Sequence, residues 1–491
     1  MRFALLAAVA ALWFGTGCGS ARAPAHAAPP AALAAFPATR WVPANPTYLV
    51  ASPTVKEAQR SLRDVVDSLG MLGGIEIAEV SRELTQLLAV DPLSTEALAA
   101  MGVDVDGGLA MFSEDVSPTF VVRLSAPEQI QAFFDRQRER GMVTQSVIVD
   151  GVEVFTAQLL ANVRVSWAIA DDWLWVHFAL PIGRDSGTTW FVNSRRPQGA
   201  GWAADWQWAQ GAAKSTVPAL TGFVDTHDVI ASLSSKIPEA VACARLVEPV
   251  GRVAISIEGD ESRVSGRVAF DLGPAAASVT ASLLPVPEGF AAAAVQAPLA
   301  AQWNLDLLVV RAWLQPCLHA IDEDLGRLDR FGVRSGRAVL QAFDPDDKSG
   351  AGAVALDLAH QKYFASQLDE LPMRSTLERR RTFGPHAGHS ISIPFVATLD
   401  YVLTDKLAMA AVGDGLLAKV VGSGTTVPGP VASVDILPPA MSAEAWRTLL
   451  GAIDRRDADV FVERLLRWRE GHIAVTIEGT SLLVAATGVR R

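Results

Sequence analysis

The side chains able to do chemistry are few and scattered. His386 and His389 sit three apart, and Asp344, Asp346 and Asp347 precede them; imidazole and carboxylate are donors of the kind that bind zinc. Asp104-Val105-Asp106-Gly107 has the opening of a calcium loop, but lacks the distal glutamate that would complete the coordination. Gly350-Ala351-Gly352 begins like a dinucleotide fingerprint. It leads into an apolar strand, Ala353–Leu358, whereas a phosphate site needs a helix N-terminus there, so a loop is expected. The chain carries no G-x-S-x-G elbow, no H-E-x-x-H pair and no P-loop. No catalytic residue, metal or cofactor is expected.

Aromatic chemistry concentrates in one segment. Trp190, Trp202, Trp206 and Trp208 fall within a single connection, and Trp202 and Trp206, four apart, would share a helix face. Two readings stand: a small satellite core packed under a loop, or a partner surface, since tryptophan is enriched at binding hot spots and membrane interfaces.

One thiol occupies a special position. Arg2, the apolar run Phe3–Phe14 and the small residues Gly15-Thr16-Gly17 lead directly to Cys18. The run is too short to span a bilayer, which takes roughly 20 residues, and fits the core of an export signal. Small residues directly before a cysteine resemble the lipobox of bacterial lipoproteins, although Gly15 stands where that family usually has leucine. The resemblance implies cleavage before Cys18 and lipidation of it, so that the membrane is a partner through Cys18. Gly19, in place of the aspartate that retains such proteins at the inner membrane, implies the outer membrane. The alternative is an ordinary secretory signal cut near Ala21-Arg22-Ala23. Residues 18–40, rich in Ala and Pro, read as a semi-extended tether.

Beyond the anchor, composition excludes more than it assigns. Half of the 491 residues are hydrophobic, and net charge is −11, a poor match for nucleic acid, which is held through cationic surface. Arg379-Arg380-Arg381, with Arg374, is the only compact basic patch; cations closing a helix, as with Arg136, Arg138 and Arg140, are the favoured reading. Cys243 and Cys317 do not make a disulfide framework; buried free thiols are favoured over a bond between them.

The elements that would position these groups occur twice, in the same order. Met101-Gly102-Val103 matches Phe331-Gly332-Val333. Thr119–Leu124 with the helical stretch Ala126–Arg140 matches Ala353–Leu358 with Ala359–Leu371. Val165–Ala170, Asp171-Asp172 and Trp173–Phe178 match Leu399–Leu403, Thr404-Asp405-Lys406 and Leu407–Val412. Gly222-Phe223-Val224-Asp225 matches Ala432-Ser433-Val434-Asp435, and the stretch from Gly251 to Gly259 matches that from Gly471 to Gly479. Pro43 before Tyr48–Ala51 and Pro287 before Phe290–Val295 open the two copies. Offsets of roughly 210–240 residues are far longer than a solenoid repeat and indicate a duplicated domain. His386–His389 then aligns with the Asp150-Gly151 turn, which lacks histidine, so a polar hairpin turn is preferred to a metal site.

Local signals support the assignments. Thr54-Val55-Lys56-Glu57 and Ser125-Ala126-Pro127-Glu128 read as capping boxes, with Gly70 as the C-cap of the first helix. Val253–Ile257 and Val264–Phe270 read as a hairpin. The expected class is α+β: two tandem similar domains, residues 41–272 and 273–491, each a mainly antiparallel sheet with helices on one face. Pro43, Pro287, Asp171-Asp172 and Asp405 make this layout similar to a family of uncharacterised secreted bacterial proteins and lipoproteins. The functional expectation is a lipid-anchored envelope protein acting in binding or assembly rather than catalysis. The alternative is a carrier or sensor of an apolar ligand held between the modules.

Overall fold

Period-two apolar runs dominate the chain and fold into antiparallel sheet. The computed structural model describes residues 34–73, 81–82, 85–86, 89–160, 162–183, 187–196, 201–213, 219–227, 229–230, 248–284, 297–320, 332–347, 349–369, 377–393, 397–421, 430–452 and 458–491. The chain divides into two units: Met1–Asp260 with Val264–Gly273, and Glu261–Arg263 with Pro274–Arg491.

In unit 1 the strands are β1 (Tyr48–Ser52), β2 (Leu109–Ser113), β3 (Thr119–Arg123), β4 (Thr144–Val149), β5 (Val152–Leu160), β6 (Val163–Ala170), β7 (Trp173–Ala179), β8 (Leu220–Asp225), β9 (Arg252–Gly259) and β10 (Arg263–Asp271). Every pairing is antiparallel, in the spatial order β4-β5-β6-β7-β3-β2-β1-β8-β9-β10. The helices are α1 (Val55–Gly73), α2 (Thr95–Ala100), α3 (Pro127–Glu139), α4 (Thr189–Arg195) and α5 (Ala203–Ala213).

Unit 2 contains α6 (Ala275–Ala281), β11 (Leu299–Trp303), α7 (Leu307–Ala320), β12 (Val333–Asp344), β13 (Ser349–Leu358), α8 (Gln361–Asp369), β14 (Glu378–Phe383), β15 (His386–Ile393), β16 (Ala397–Leu403), β17 (Leu407–Val412), α9 (Leu416–Val420), β18 (Ala432–Ile436), α10 (Ala443–Ala452), α11 (Ala458–Leu465), β19 (Trp468–Glu478) and β20 (Ser481–Arg490). Its sheet is also wholly antiparallel, in the order β14-β15-β16-β17-β13-β12-β11-β18-β19-β20.

Small details recur at matching places. Gly102 and Gly332 both have positive φ, +91° and +59°. A Cβ on Gly102 would lie 2.2 Å from the Ala126 carbonyl oxygen, and one on Gly332 would lie 2.9 Å from the His360 backbone nitrogen. The Gly102 carbonyl accepts from the Ser125 amide at 2.9 Å, and that of Gly332 from the Ala359 amide at 2.8 Å. The Leu124 amide donates to the Asp172 carbonyl at 2.8 Å, and the Leu358 amide to that of Lys406 at 3.0 Å. Asp171 and Asp172 both hold positive φ between β6 and β7, where a two-residue hairpin turn demands it.

Helices cover both faces of each sheet, not one. Along β7, Trp173, Trp175 and His177 point to one side and Leu174, Val176 and Phe178 to the other, as strand alternation requires. The Leu174 side packs with Val55, Ile130 and Trp167, so α1 and α3 lie there. Trp175 on the opposite side donates its indole N–H to Ser194 of α4 at 2.8 Å. In unit 2, Val339 packs with Leu416, Leu417 and Val420 of α9, while the next residue, Leu340, packs against Trp446 and Leu450 of α10.

Several local expectations shift. The Thr54 hydroxyl accepts from the Glu57 amide at 3.1 Å and donates to the Glu57 carboxylate at 3.0 Å, so the first cap forms; α1 continues past Gly70 to Gly73. The second cap does not form: Ala126 is the N-cap residue of α3 and Pro127 opens the helix, while the Ser125 hydroxyl turns back to the Gly102 carbonyl. Gly350-Ala351-Gly352 lies inside β13, paired with β12, rather than in a loop. The strand expected at Phe290–Val295 and its Pro287 lie outside the described residues.

Candidate functional site

The Trp-rich connection folds around the chain's own entry into unit 1. Phe36 and most of Pro37–Trp41, a short 3-10 turn opened by proline, fall within residues 18–40, the stretch whose composition reads as a tether. They are instead seated in the body: Phe36, Ala38, Thr39 and Val42 are buried. The correction has a simple cause. Phe36 and Trp41 carry large apolar surfaces among alanines and prolines, and an aromatic ring gains more from burial than a short spacer gains from freedom.

Phe36 meets Trp206 edge-on at 5.1 Å, and Trp206 meets Trp202 edge-on at 5.9 Å. Their i,i+4 spacing puts both on the inner side of α5 and its preceding turn, where the Trp206 amide bonds to the Trp202 carbonyl. Trp41 packs against Trp173 at 6.1 Å and Trp175 at 5.0 Å. Trp175 donates to the Ser194 hydroxyl, which donates in turn to the Trp41 carbonyl at 2.6 Å. This chain of bonds ties the entry segment, β7 and α4 together.

Trp190, Trp202 and Trp206 are therefore interior side chains, 4%, 2% and 0% exposed. They do not form the surface that their residue type suggested, because each has aromatic neighbours to pack against. Trp208 is half-buried under the Arg252 guanidinium, 4.4 Å from the ring centre. Arg252 also pairs with Asp205 at 2.7 Å and Asp271 at 2.9 Å, which fixes the cation over the ring. The entry clasp was missed in the sequence. The signal that could have revealed it was the pair of aromatic residues within an otherwise small-residue stretch.

Beside the clasp, His177 is 4% exposed. Its Nδ1 is 2.9 Å from the Thr119 hydroxyl, and its ring stacks on Trp190 at 5.0 Å. Burial lowers its pKa from 6.5 to about 4, so the imidazole is neutral near pH 7. Burial also raises the Glu114 carboxyl, against the opposing effect of its bonds from Asn193, and pushes the Tyr48 hydroxyl well above its usual range. His177 and Tyr48, uncharged near pH 7 and enclosed, fit a structural polar layer, with Glu114 at its exposed margin.

The other candidates separate from one another. The β14–β15 turn is Gly384-Pro385, and His386 and His389 lie in the strand after it, three apart and hence on opposite faces. His389 stacks on Tyr401 and lies 3.3 Å from Glu378, which also accepts from the Tyr401 hydroxyl. Asp344 accepts from the Asp346 amide at 2.9 Å. Asp104 similarly closes a turn onto the Asp106 amide, and Asp106 pairs with Lys56 at the start of α1. Among the described residues no three metal-ligating side chains converge. Arg379, Arg380 and Arg381 are exposed on β14, a strand and not a helix end, so the dipole reading does not apply to them. An open cleft of about 290 Å³ in unit 2 is lined by Asp344, Thr398, Gly413 and Asp414 among others.

Cys18 and Cys243 lie outside the described residues, and Cys317 falls on α7 with its thiol outside them. No described helix is long and apolar enough to cross a membrane.

No protein-family model matches this chain, and no curated protein matches it. Among solved structures, crystal forms III and IV of TP0453 are similar to part of it. They share 10% and 9% identity, cover 50% of this chain and 85% and 84% of their own, and have TM-scores of 0.27 and 0.26. Likeness at that level carries no functional argument.

Proposed function

We propose that this chain is a lipid-anchored envelope protein, held at the outer membrane through Cys18, whose body serves binding or assembly rather than catalysis. The observation that carries the reading is the apolar run ending in Gly15-Thr16-Gly17-Cys18, followed by an Ala- and Pro-rich stretch that reaches the buried Phe36. The clasp supports it from the other end. A tethered protein needs a firm joint where the tether meets the body, and Phe36 and Trp41 supply that joint.

The two units are, in this reading, copies of one module. Their strand orders match position by position, the positive-φ glycines Gly102 and Gly332 hold matching amides, and Asp172 and Lys406 bond to matching leucines. The membrane is a partner through the lipid on Cys18; a protein partner would be engaged by the body.

Intact-mass measurement of the mature protein tests the anchor. The expected N-terminus is Cys18 bearing acyl chains. An unmodified N-terminus at Pro24, after Ala21-Arg22-Ala23, would replace the lipoprotein reading with plain secretion.

A further inference from the structure

The strand that closes one end of the unit 1 sheet is unusual for an exposed edge. Among the described residues β4 pairs only with β5, so one side of its backbone ladder faces outward. Exposed edges are normally blunted by charge, proline or brevity, because unpaired amides and carbonyls recruit another strand. The six-residue β4 has none of these defences. From Gly141 to Val149 there is no charged residue and no proline. Val143 is 83% exposed, Val147 50% and Ile148 76%. Val147 and Ile148 are consecutive, so they point to opposite faces, and the edge is apolar above and below the sheet.

The matching position in unit 2 is built the opposite way. β14 also pairs only with its neighbour among the described residues, and it carries Arg379, Arg380 and Arg381 in succession, all exposed. That is the protected form of an edge: two such strands brought together would set cation against cation, and β14 laid on β4 would strand three guanidinium groups against valine and isoleucine. One sheet end is therefore defended and its counterpart open.

We propose that β4 is a self-association edge, where two copies of this chain pair β4 to β4 antiparallel about a two-fold axis. Charge selects the occupant. β4 offers no charge to attract an acidic or basic segment. Antiparallel self-pairing opposes no like charges and sets the polar Thr144-Gln145-Ser146 of one copy against the apolar Val147-Ile148-Val149 of the other. The interface is isologous, so it closes at a dimer. Asp150, just beyond the strand, is already engaged by Arg196 at 3.3 Å and leaves the edge neutral. This inference does not rest on the lipid anchor.

Sedimentation velocity on the purified full chain in detergent, across a dilution series, tests it. The wild-type protein is expected to show a monomer–dimer equilibrium. Val147→Lys with Ile148→Lys should raise the dimer Kd about tenfold or more, whereas Arg380→Glu should leave it unchanged. Both lysine substitutions are at exposed positions, so an unchanged Tm verifies that the fold is intact. Three results would overturn the proposal: a wild-type monomer at every concentration, a dimer indifferent to the double lysine variant, or a dimer broken by Arg380→Glu. A wild-type monomer that sediments with lipid vesicles through Val147 and Ile148 would reassign the edge to a membrane surface.

Discussion

If the entry segment is clasped by tryptophan, Phe36 and Trp206 must be energetically coupled. Both are essentially buried, 2% and 0% exposed, with ring centroids 5.1 Å apart and planes at 80°. Phe36→Ala removes a buried ring and should cost unit 1 about 3–5 kcal/mol. Trp206→Ala removes a larger ring, but it also removes an indole N–H that has no hydrogen-bond partner. Relief of that burial offsets about 1–3 kcal/mol, so its net cost should be near 2–3 kcal/mol. The edge-on contact itself should appear as a coupling of about 1 kcal/mol in the double variant. Urea denaturation followed by tryptophan fluorescence supplies the three differences. Limited proteolysis adds a structural readout: Phe36→Ala should open cleavage around residues 34–42 while the rest of unit 1 stays resistant. Trp206→Phe, which keeps the ring contact and discards the unpaired N–H, should fall within about 1 kcal/mol of wild type. Additivity within about 0.3 kcal/mol, with the entry segment equally resistant in every variant, would refute the clasp.

Because the folded pKa of His177 is lowered from 6.5 to about 4, the unfolded chain takes up the proton first as pH falls. The contribution is intact above pH 6.5, is lost progressively towards pH 4, and amounts to about 3 kcal/mol. His177→Gln should flatten that part of the stability profile, measured by denaturation between pH 4 and 7. The raised Glu114 carboxyl works in the opposite sense, losing stability as pH rises through its range, and remains in the variant. Gly102→Ala and Gly332→Ala should each cost at least about 1–3 kcal/mol from the positive-φ backbone alone, read as a lowered Tm. An alanine tolerated at either site would remove that glycine from the matched architecture.

Much of the fold can be read in the sequence where one residue type has one use. The Asp171-Asp172 turn, the glycines at 102 and 332, the Thr54 cap and the β9–β10 hairpin are local, and their chemistry is fixed by backbone geometry. Features that depend on distant packing were harder to read. Trp173 to Phe178 is apolar at every position except His177, so its two-sided burial is written there, yet alternation alone does not say which helices cover which face. The entry segment looked like a spacer because alanine and proline dominate its composition; only the sheet, with Trp173 and Trp175 exposed to it, gives Trp41 a place to go. Ser125 heads a sequence that suits a capping box, but the nearby Gly102 carbonyl competes for its hydroxyl. Trp202 lies in the turn before α5 and Trp206 within it; both turn inward, and that direction, towards Phe36, is decided by the tertiary structure.

Membrane fractionation of cells producing the wild-type chain or Cys18→Ser tests the proposed lipid anchor. The wild-type protein should sediment with membranes and be released by detergent but not by high salt, since a lipid anchor does not depend on charge. Cys18→Ser should move to the soluble fraction with its body folded. Retention of Cys18→Ser in the membrane fraction to the wild-type extent would contradict the account, and would mean that the folded units hold the membrane themselves.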